Sequence, residues 1–350
     1  MSKKFDVVIG NPPYQEEAQG GGTRDTPVYH LFMESAYQVG EKAVLITPAR
    51  FLFNAGFTPK AWNEKMLADP HLSVSHYVPN SDELFPGTNI NGGIAVTYRD
   101  SDRRGEPIGT FTSFPELNTI LLKVIELGIT PLQRVGITSS RSYRYTNKLY
   151  EDHPGLRVLR PKGNEGLVET NAFDQFSSVF NELKPEDGHA YVRVLGLKNR
   201  ARVYRWIRSD YFDGPESLWK YKVIIPKSRG HLGTLGNEPA LVIGEPLIGE
   251  TGVGTTYTFI TIGSFESKAE AEACLKYVKS KFARAMLGVL KVTQHSPASA
   301  WKYVPLQDFT LESDIDWSRP MSEVDKQLYA KYGLDADEIA FIETQVKLIK

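Results

Sequence analysis

Phe5-Asp6-Val7-Val8-Ile9-Gly10-Asn11-Pro12-Pro13-Tyr14 decides how the rest of the chain is read. Val7, Val8 and Ile9 are β-branched and nearly continuous, the pattern of a parallel strand covered on both faces. Gly10 and two prolines then end the strand abruptly, because proline gives no donor to a ladder and fixes its own φ. In open α/β sheets, ligands bind just beyond the carboxyl end of such a strand. A bare turn and a proline-rich docking motif are the plainer readings of Asn11 to Tyr14. Docking motifs of that sort sit in polar, disordered segments, whereas this one closes an apolar strand and is followed by patterned sequence.

Outward from that stretch, Tyr29-His30-Leu31-Phe32-Met33-Glu34-Ser35-Ala36 carries apolar residues at helical spacing. Lys42 to Leu52 reads as the next strand, ending in a second proline-containing loop at the same sheet edge. Leu72 to Pro79 and Gly92 to Arg99 read as two strands joined by Asn80-Ser81-Asp82-Glu83-Leu84-Phe85-Pro86-Gly87. With Asn-Pro-Pro-Tyr at its head, this series resembles the amino-methyltransferases that methylate adenine N6 in DNA. The last two strands resemble the closing antiparallel hairpin of their sheet.

The chemistry of that family explains the residue choice. An exocyclic adenine amine is a poor nucleophile because its lone pair is delocalised into the ring. Two acceptors aimed at its two hydrogens would rehybridise it. The resemblance assigns this work to the Asn11 side-chain oxygen and the Pro12 carbonyl, with Pro13 fixing the loop. Tyr14 would stack on a base swung out of the duplex, where an aromatic face offsets part of the lost stacking. Phe85 either packs on the other side of that base or plugs the core beneath the hairpin. S-adenosylmethionine is the implied cofactor, with Asn11 and Phe32 as its contacts in this chain.

A complete enzyme of this kind also needs an earlier strand with a glycine-rich loop for the methionine part of the cofactor, and an acidic residue for the ribose. Only four residues precede the first strand here. Val194 to Lys198 and Leu241 to Pro246 each offer a strand and a glycine, but neither opens a helix. The sheet is therefore expected to begin at its fourth strand, leaving a parallel edge to be capped. A longer polypeptide, a second subunit carrying the cofactor strands, or a degenerate DNA-binding descendant would each account for this. Gln19-Gly20-Gly21-Gly22-Thr23 lacks the lysine of a phosphate loop and is read as a mobile loop over the site. Gly249 to Thr256 is read as a turn between strands.

The chain has 350 residues, 41% of them hydrophobic, enough for sizeable cores. Its one cysteine, Cys274, excludes a disulfide framework and a thiolate zinc site, which suits the cytoplasm, and no metal site is expected. No apolar stretch approaches the length of a membrane span. The net charge of −1 hides a strong asymmetry. Between Ala190 and Arg229 stand ten basic residues (Arg193, Lys198, Arg200, Arg202, Arg205, Arg208, Lys220, Lys222, Lys227, Arg229) against three acidic ones, a net of +7. Tyr191, Tyr204, Trp206, Tyr211, Trp219 and Tyr221 interleave with them, and Arg141-Ser142-Tyr143-Arg144-Tyr145 repeats the theme upstream. Such a strip either tracks phosphates or forms a salt-bridged, solvated β-surface. Behind a methyltransferase motif it reads as a target recognition domain contacting double-stranded DNA.

A helix is expected over Pro115 to Leu127, stopped by Gly128. Short strands follow at Tyr191 to Leu195, Val203 to Ile207, Tyr221 to Ile225, Ala240 to Ile243 and Thr256 to Ile262. A capping box, Ser267-Lys268-Ala269-Glu270, then opens a long amphipathic helix to about Val292. Two short helices, Ser322 to Tyr332 and Asp335 to Ile349, form the tail. The segments Tyr303-Val304-Pro305-Leu306 and Tyr329 to Leu334 resemble the C-terminal regions of restriction-modification methyltransferases of the Eco57I type. No nuclease constellation is evident, so cleavage would come from another domain or chain. The expected fold class is α/β: the C-terminal half of a Rossmann-like methyltransferase sheet (1–106), a mixed α+β target recognition domain (107–310) and a helical tail (311–350). The implied function is site-specific adenine-N6 methylation within a restriction-modification system; the competing reading is a DNA-binding specificity or assembly subunit without chemistry of its own.

Overall fold

A computed structural model of the chain describes residues 4–16, 26–54, 57–88, 90, 92–159, 163–229, 233–236, 238–291 and 295–349. Backbone contacts divide it into two compact units, Met1–Pro115 and Glu116–Lys350. The glycine-rich stretch 19–23 lies outside the described residues.

The first unit runs β1 (Phe5–Gly10), β2 (Gln15–Glu16), β3 (Thr26–Pro27), α1 (Tyr29–Val39), β4 (Gly40–Pro48), α2 (Lys60–Leu67), β5 (Leu72–Val78) and β6 (Ile94–Asp100). Its main sheet has the order β1-β4-β6-β5. β1 pairs parallel with β4, with Ile9 opposite Val44. β6 runs antiparallel to both of its neighbours, setting Ile94 opposite Pro48 on one side and Val78 on the other. The C-terminal ends of β1, β4 and β5 therefore meet at one edge. Tyr29, Met33 and Ala36 are the buried residues of α1, at the spacing of one helix face. They join Leu45, Phe51, Trp62, Met66 and Leu72 in the unit's core.

β1 departs from its expected cover. It is an edge strand among the described residues, and Phe5, Val7 and Ile9, which alternate onto one face, are 56%, 48% and 77% exposed. Val8, on the other face, packs against the core.

The second unit contains α3 (Pro115–Glu126), β7 (Ile137–Thr138), β8 (Arg144–Tyr145), α4 (Asn147–Asp152), α5 (Ala172–Gln175), β9 (Tyr191–Lys198), β10 (Ala201–Arg208), β11 (Phe212–Asp213), β12 (Tyr221–Pro226), β13 (Leu247–Gly249), β14 (Val253–Thr255), β15 (Phe259–Phe265), α6 (Lys268–Lys279), α7 (Lys281–Gly288), α8 (Met321–Lys331) and α9 (Ala336–Gln345). Its strands form the sheets β10-β9-β14 and β13-β12-β15-β7 and the pair β11-β8. Residues 143–180, irregular in sequence, are not a loose connector: Tyr143, Tyr145, Phe173, Phe176 and Phe180 form a core with Val192, Val194 and Ile207 of β9 and β10.

Three expectations are corrected by the fold. The long helix breaks at Ser280, whose extended backbone (φ −58°, ψ 148°) cannot continue it, while its hydroxyl accepts from the Ala283 N–H and caps α7. The strand expected at Ala240 to Ile243 reduces to a single parallel bridge from Ala240 to Val346, because Val242 turns the chain at φ +65°. Residues 311–350 are not a separate tail. Buried Arg284 of α7 donates to the carbonyls of Leu241 (3.1 Å) and Lys347 (2.6 Å), and Lys123 of α3 pairs with buried Glu338 of α9.

Gly93 shows how tightly the β5–β6 connection is built. At φ +75°, a Cβ there would lie 2.3 Å from the Val78 carbonyl oxygen and 2.9 Å from the Pro79 Cα. Gly93→Ala should cost at least about 3 kcal/mol in a urea titration of the chain. Gly87, at φ +81° with open space around it, is the control. Gly87→Ala should cost only about 1 kcal/mol.

Candidate active site

At the edge where the three strand ends meet lies a cavity of about 690 Å³. The β1 tip delivers Asn11, Pro12, Pro13 and Tyr14 into it, and the β4 end delivers Pro48 and Arg50. Tyr29 from the start of α1, exposed Phe57 and Ile90 complete the part of the wall that matters here.

Local chemistry holds this geometry. The Val28 N–H donates to the Tyr14 carbonyl at 3.1 Å, and β2 pairs with β3 just after the motif, so the loop is fastened on its far side. After Pro48, residues Ala49–Phe53 wind into a 3-10 turn, and the Ala49 N–H donates to the Gly93 carbonyl at 2.9 Å. Asn54 ends the turn in the left-handed region at φ 50°. Tyr29, Phe51 and Trp62 pack ring against ring behind the cavity, with centroids 5.3–6.4 Å apart.

The Asn11 side chain is exposed at the strand tip. The Tyr14 hydroxyl is shielded from water and has no hydrogen-bond partner among the described residues. Burial raises its pKa, which the neighbouring Asn11 side chain partly offsets. Burial likewise pushes the Tyr29 phenol up to about 12, against a bond to Thr58 and the charge of Arg50. Arg50 is the only ionised side chain among the described residues lining the cavity. No group of three or more metal-ligating side chains occurs among the described residues.

Of the residues expected at this site, the structure brings together Asn11, Pro12, Pro13 and Tyr14. Phe85 is half-buried and is not among the lining residues. Phe32 stands on the first turn of α1 with Leu31, 46% and 54% exposed, also outside the cavity lining. Sequence reading missed Arg50, Phe57 and Tyr29. A signal for Arg50 existed, since Pro48-Ala49-Arg50 closes the second parallel strand at the same edge as Asn11.

The basic residues of the second unit divide sharply. Lys222 is a correction: it is fully buried, and its ammonium donates to the carbonyls of Leu218 (3.2 Å), Lys220 (3.0 Å) and Glu250 (3.0 Å). Five others engage acidic side chains: Lys198 pairs with Asp174, Lys220 with Glu266, Arg193 with Glu250 at 2.8 Å, Arg205 with Glu182 at 2.6 Å and Arg208 with Asp210 at 2.5 Å. Arg202 donates to the Glu245 carbonyl at 2.7 Å. Arg200 sits at the tip of the β9–β10 turn at φ 65°, Arg144 is exposed on β8, and Arg229 is half-buried. Arg141 and Lys227 converge on one ring, the Arg141 Cζ 5.7 Å and the Lys227 Nζ 3.3 Å from the Tyr257 centroid. Together they lower the Tyr257 phenol pKa, Lys227 contributing first.

Residues 1–85, which carry Asn11 to Tyr14, match the Eco57I restriction-modification methylase family. Over 108 residues the chain is 27% identical to a protein of Mycoplasma pneumoniae (strain ATCC 29342 / M129 / Subtype 1) described as an uncharacterized adenine-specific methylase, covering 30% of this chain and 26% of the relative. Two solved structures align with 97% of this chain: the type IIG restriction endonuclease BpuSI (11% identity, TM-score 0.37, 52% of its length) and the type IIL restriction-modification enzyme MmeI in complex with DNA (12%, 0.38, 56%). The chain thus spans about a quarter of the curated relative and about half of each structure. No helix among the described residues is long and apolar enough to cross a membrane.

The position of Lys222 yields a direct check. Lys222→Met strips three buried carbonyls of their donor, so the second unit should lose about 1 to 3 kcal/mol of stability in denaturant titration. The dependence of DNA affinity on salt should stay as it is, since this ammonium faces inward.

Proposed function

We propose that this chain carries the amine-activating loop and the DNA-recognition surface of an adenine-N6 DNA methyltransferase of a restriction-modification system. One observation carries the reading: the Asn11 to Tyr14 loop of a family-matched segment lines a cavity at the C-terminal edge of a sheet ordered β1-β4-β6-β5, with β6 reversed. This order and direction fit the second half of a methyltransferase sheet, its fourth strand outermost and its closing hairpin in place.

An adenine swung from the duplex enters the cavity. Its amino hydrogens go to the Asn11 side-chain oxygen and the Pro12 carbonyl, which draws the nitrogen toward a tetrahedral shape and localises its lone pair. Tyr14 takes the face of the ring. S-adenosylmethionine, when bound, supplies the electrophilic methyl group. In this chain Asn11 is the residue positioned to meet it, at the tip of β1. The strands that hold the rest of the cofactor add to the free edge of β1, over the exposed face of Phe5, Val7 and Ile9, whichever chain carries them. The second unit approaches duplex DNA, with Arg141, Lys227 and Arg200 offering charge to phosphates. The ion-paired residues Lys198, Arg205 and Arg208 chiefly stiffen the β-surface that carries them.

The test uses whatever assembly methylates DNA with this chain in it. Asn11→Ala should lower the methylation rate about a hundred- to thousand-fold, on the order of 3 to 4 kcal/mol in the barrier, with DNA affinity unchanged. Tyr14→Ala should weaken base capture by about 1 to 3 kcal/mol. Tyr14→Phe should act like the parent, since it is the ring and not the hydroxyl that meets the base. Near-normal methylation by Asn11→Ala would reduce the motif to a turn and leave a DNA-binding subunit as the answer.

A second measurement concerns the basic surface. Arg141→Ala and Lys227→Ala should each weaken binding to all duplex sequences alike and flatten the log–log salt slope by about 0.9 for each phosphate no longer neutralised. An unchanged slope in both would put the DNA elsewhere.

A further inference from the structure

An adenine ring carries no charge at neutral pH, so a cavity that only held the base would need no cation. This cavity has one, Arg50, among described lining residues that are otherwise aromatic, prolyl, aliphatic or amide. A base reaches such a site as part of a nucleotide, bringing phosphodiester charge with it. The planar guanidinium fork matches phosphate oxygens in both charge and geometry.

The place of Arg50 is built, not incidental. Pro48 ends β4, and the 3-10 turn that follows is tied at its first residue to the Gly93 carbonyl. Gly92 adjoins the arginine stem at φ +88°: a Cβ there would lie 3.0 Å from the Arg50 Cγ and 3.7 Å from its Cα. Glycine alone meets both demands at that position, an easy left-handed backbone and room for the stem. The side chain therefore starts from a fixed floor. β4 lies between β1 and β6, so Arg50 stands on the side of Asn11 away from the free edge of β1. That is the side for the nucleotide, not for whatever pairs with the free edge.

We propose that Arg50 binds a phosphate of the nucleotide whose base occupies the cavity, and that Gly92 positions it for that contact. The proposal rests on the nucleobase reading of the cavity, and the experiment separates the two.

Deoxyadenosine and deoxyadenosine monophosphate are titrated into the full chain by ligand-observed NMR. The parent should bind the monophosphate about tenfold more tightly, the gain expected of one charge-assisted hydrogen bond. Arg50→Ala should erase that preference. Arg50→Lys should retain part of it. Gly92→Ala should lose part of it through the displaced stem. Asn11→Ala should keep the preference, since it removes nothing that meets the phosphate. Equal affinity of the parent for the two ligands, or a full preference surviving in Arg50→Ala, would overturn the role of Arg50 while leaving the base site standing. Binding of neither ligand by the parent would overturn the base site and this proposal with it. Far-ultraviolet circular dichroism checks each variant's fold, and the parent's own preference decides the matter even if one variant does not fold.

Discussion

The antiparallel pairing of β6 between β4 and β5 is the constraint on which the first unit depends. β4 alone would end in a free strand tip. With β6 alongside, Pro48 lies opposite Ile94, and the Gly93 carbonyl receives the Ala49 N–H. That bond starts the turn from which Arg50 projects, and the same short connection supplies Gly92 beneath the arginine stem. On the other flank, parallel pairing with β4 sets the tip of β1, and so Asn11, at the same height. The cavity is a product of strand register. A slip of one residue along β4 would turn Leu45 out of the core and carry Arg50 from the wall.

The two units illustrate different uses of charge. In the first, Arg50 is the one ionised side chain among the described residues that line the cavity. In the second, many cations lie along β9, β10 and β12, but most are already engaged with carboxylates or carbonyls. Exposed ion pairs of this kind contribute little to stability individually, yet they hold long side chains in place. A composition of +7 over forty residues overstates the charge available to a partner. The convergence of Arg141 and Lys227 on Tyr257 involves residues more than a hundred positions apart in one pair, and no local run of basic residues announces it.

Local signals are plain in the sequence. The β-branched run and double proline mark β1 and its end, and Ser267 with Glu270 forms the capping box that its spacing implies. Gly128 and Gly333 stop α3 and α8 at positive φ, as helix-terminating glycines do. What stays hidden is tertiary. Ser280 ranks as an ordinary helix residue until its hydroxyl finds the Ala283 N–H. Lys222 looks like one cation in a basic run until two carbonyls of the turn before it and that of distant Glu250 close around it. The Asn11 loop is legible because two prolines and a strand end are neighbours in sequence. Arg50, Phe57 and Tyr29 join it only through sheet pairing and helix packing, which no local window contains.

The hydrogen bond of Arg284 to the Lys347 carbonyl, next to the bridge from Val346 to Ala240, also bears on the order of folding during synthesis. The described strands of the first sheet have all left the ribosome once Asp100 emerges, so that unit can pair them early. The second cannot. Its buried guanidinium lacks one of its carbonyl acceptors, and Ala240 its partner, until the segment ending at Lys347 is free. While that segment is being made, the second unit is a long, open chain rich in aromatic side chains. The nascent second unit is the stretch most in need of protection from premature association.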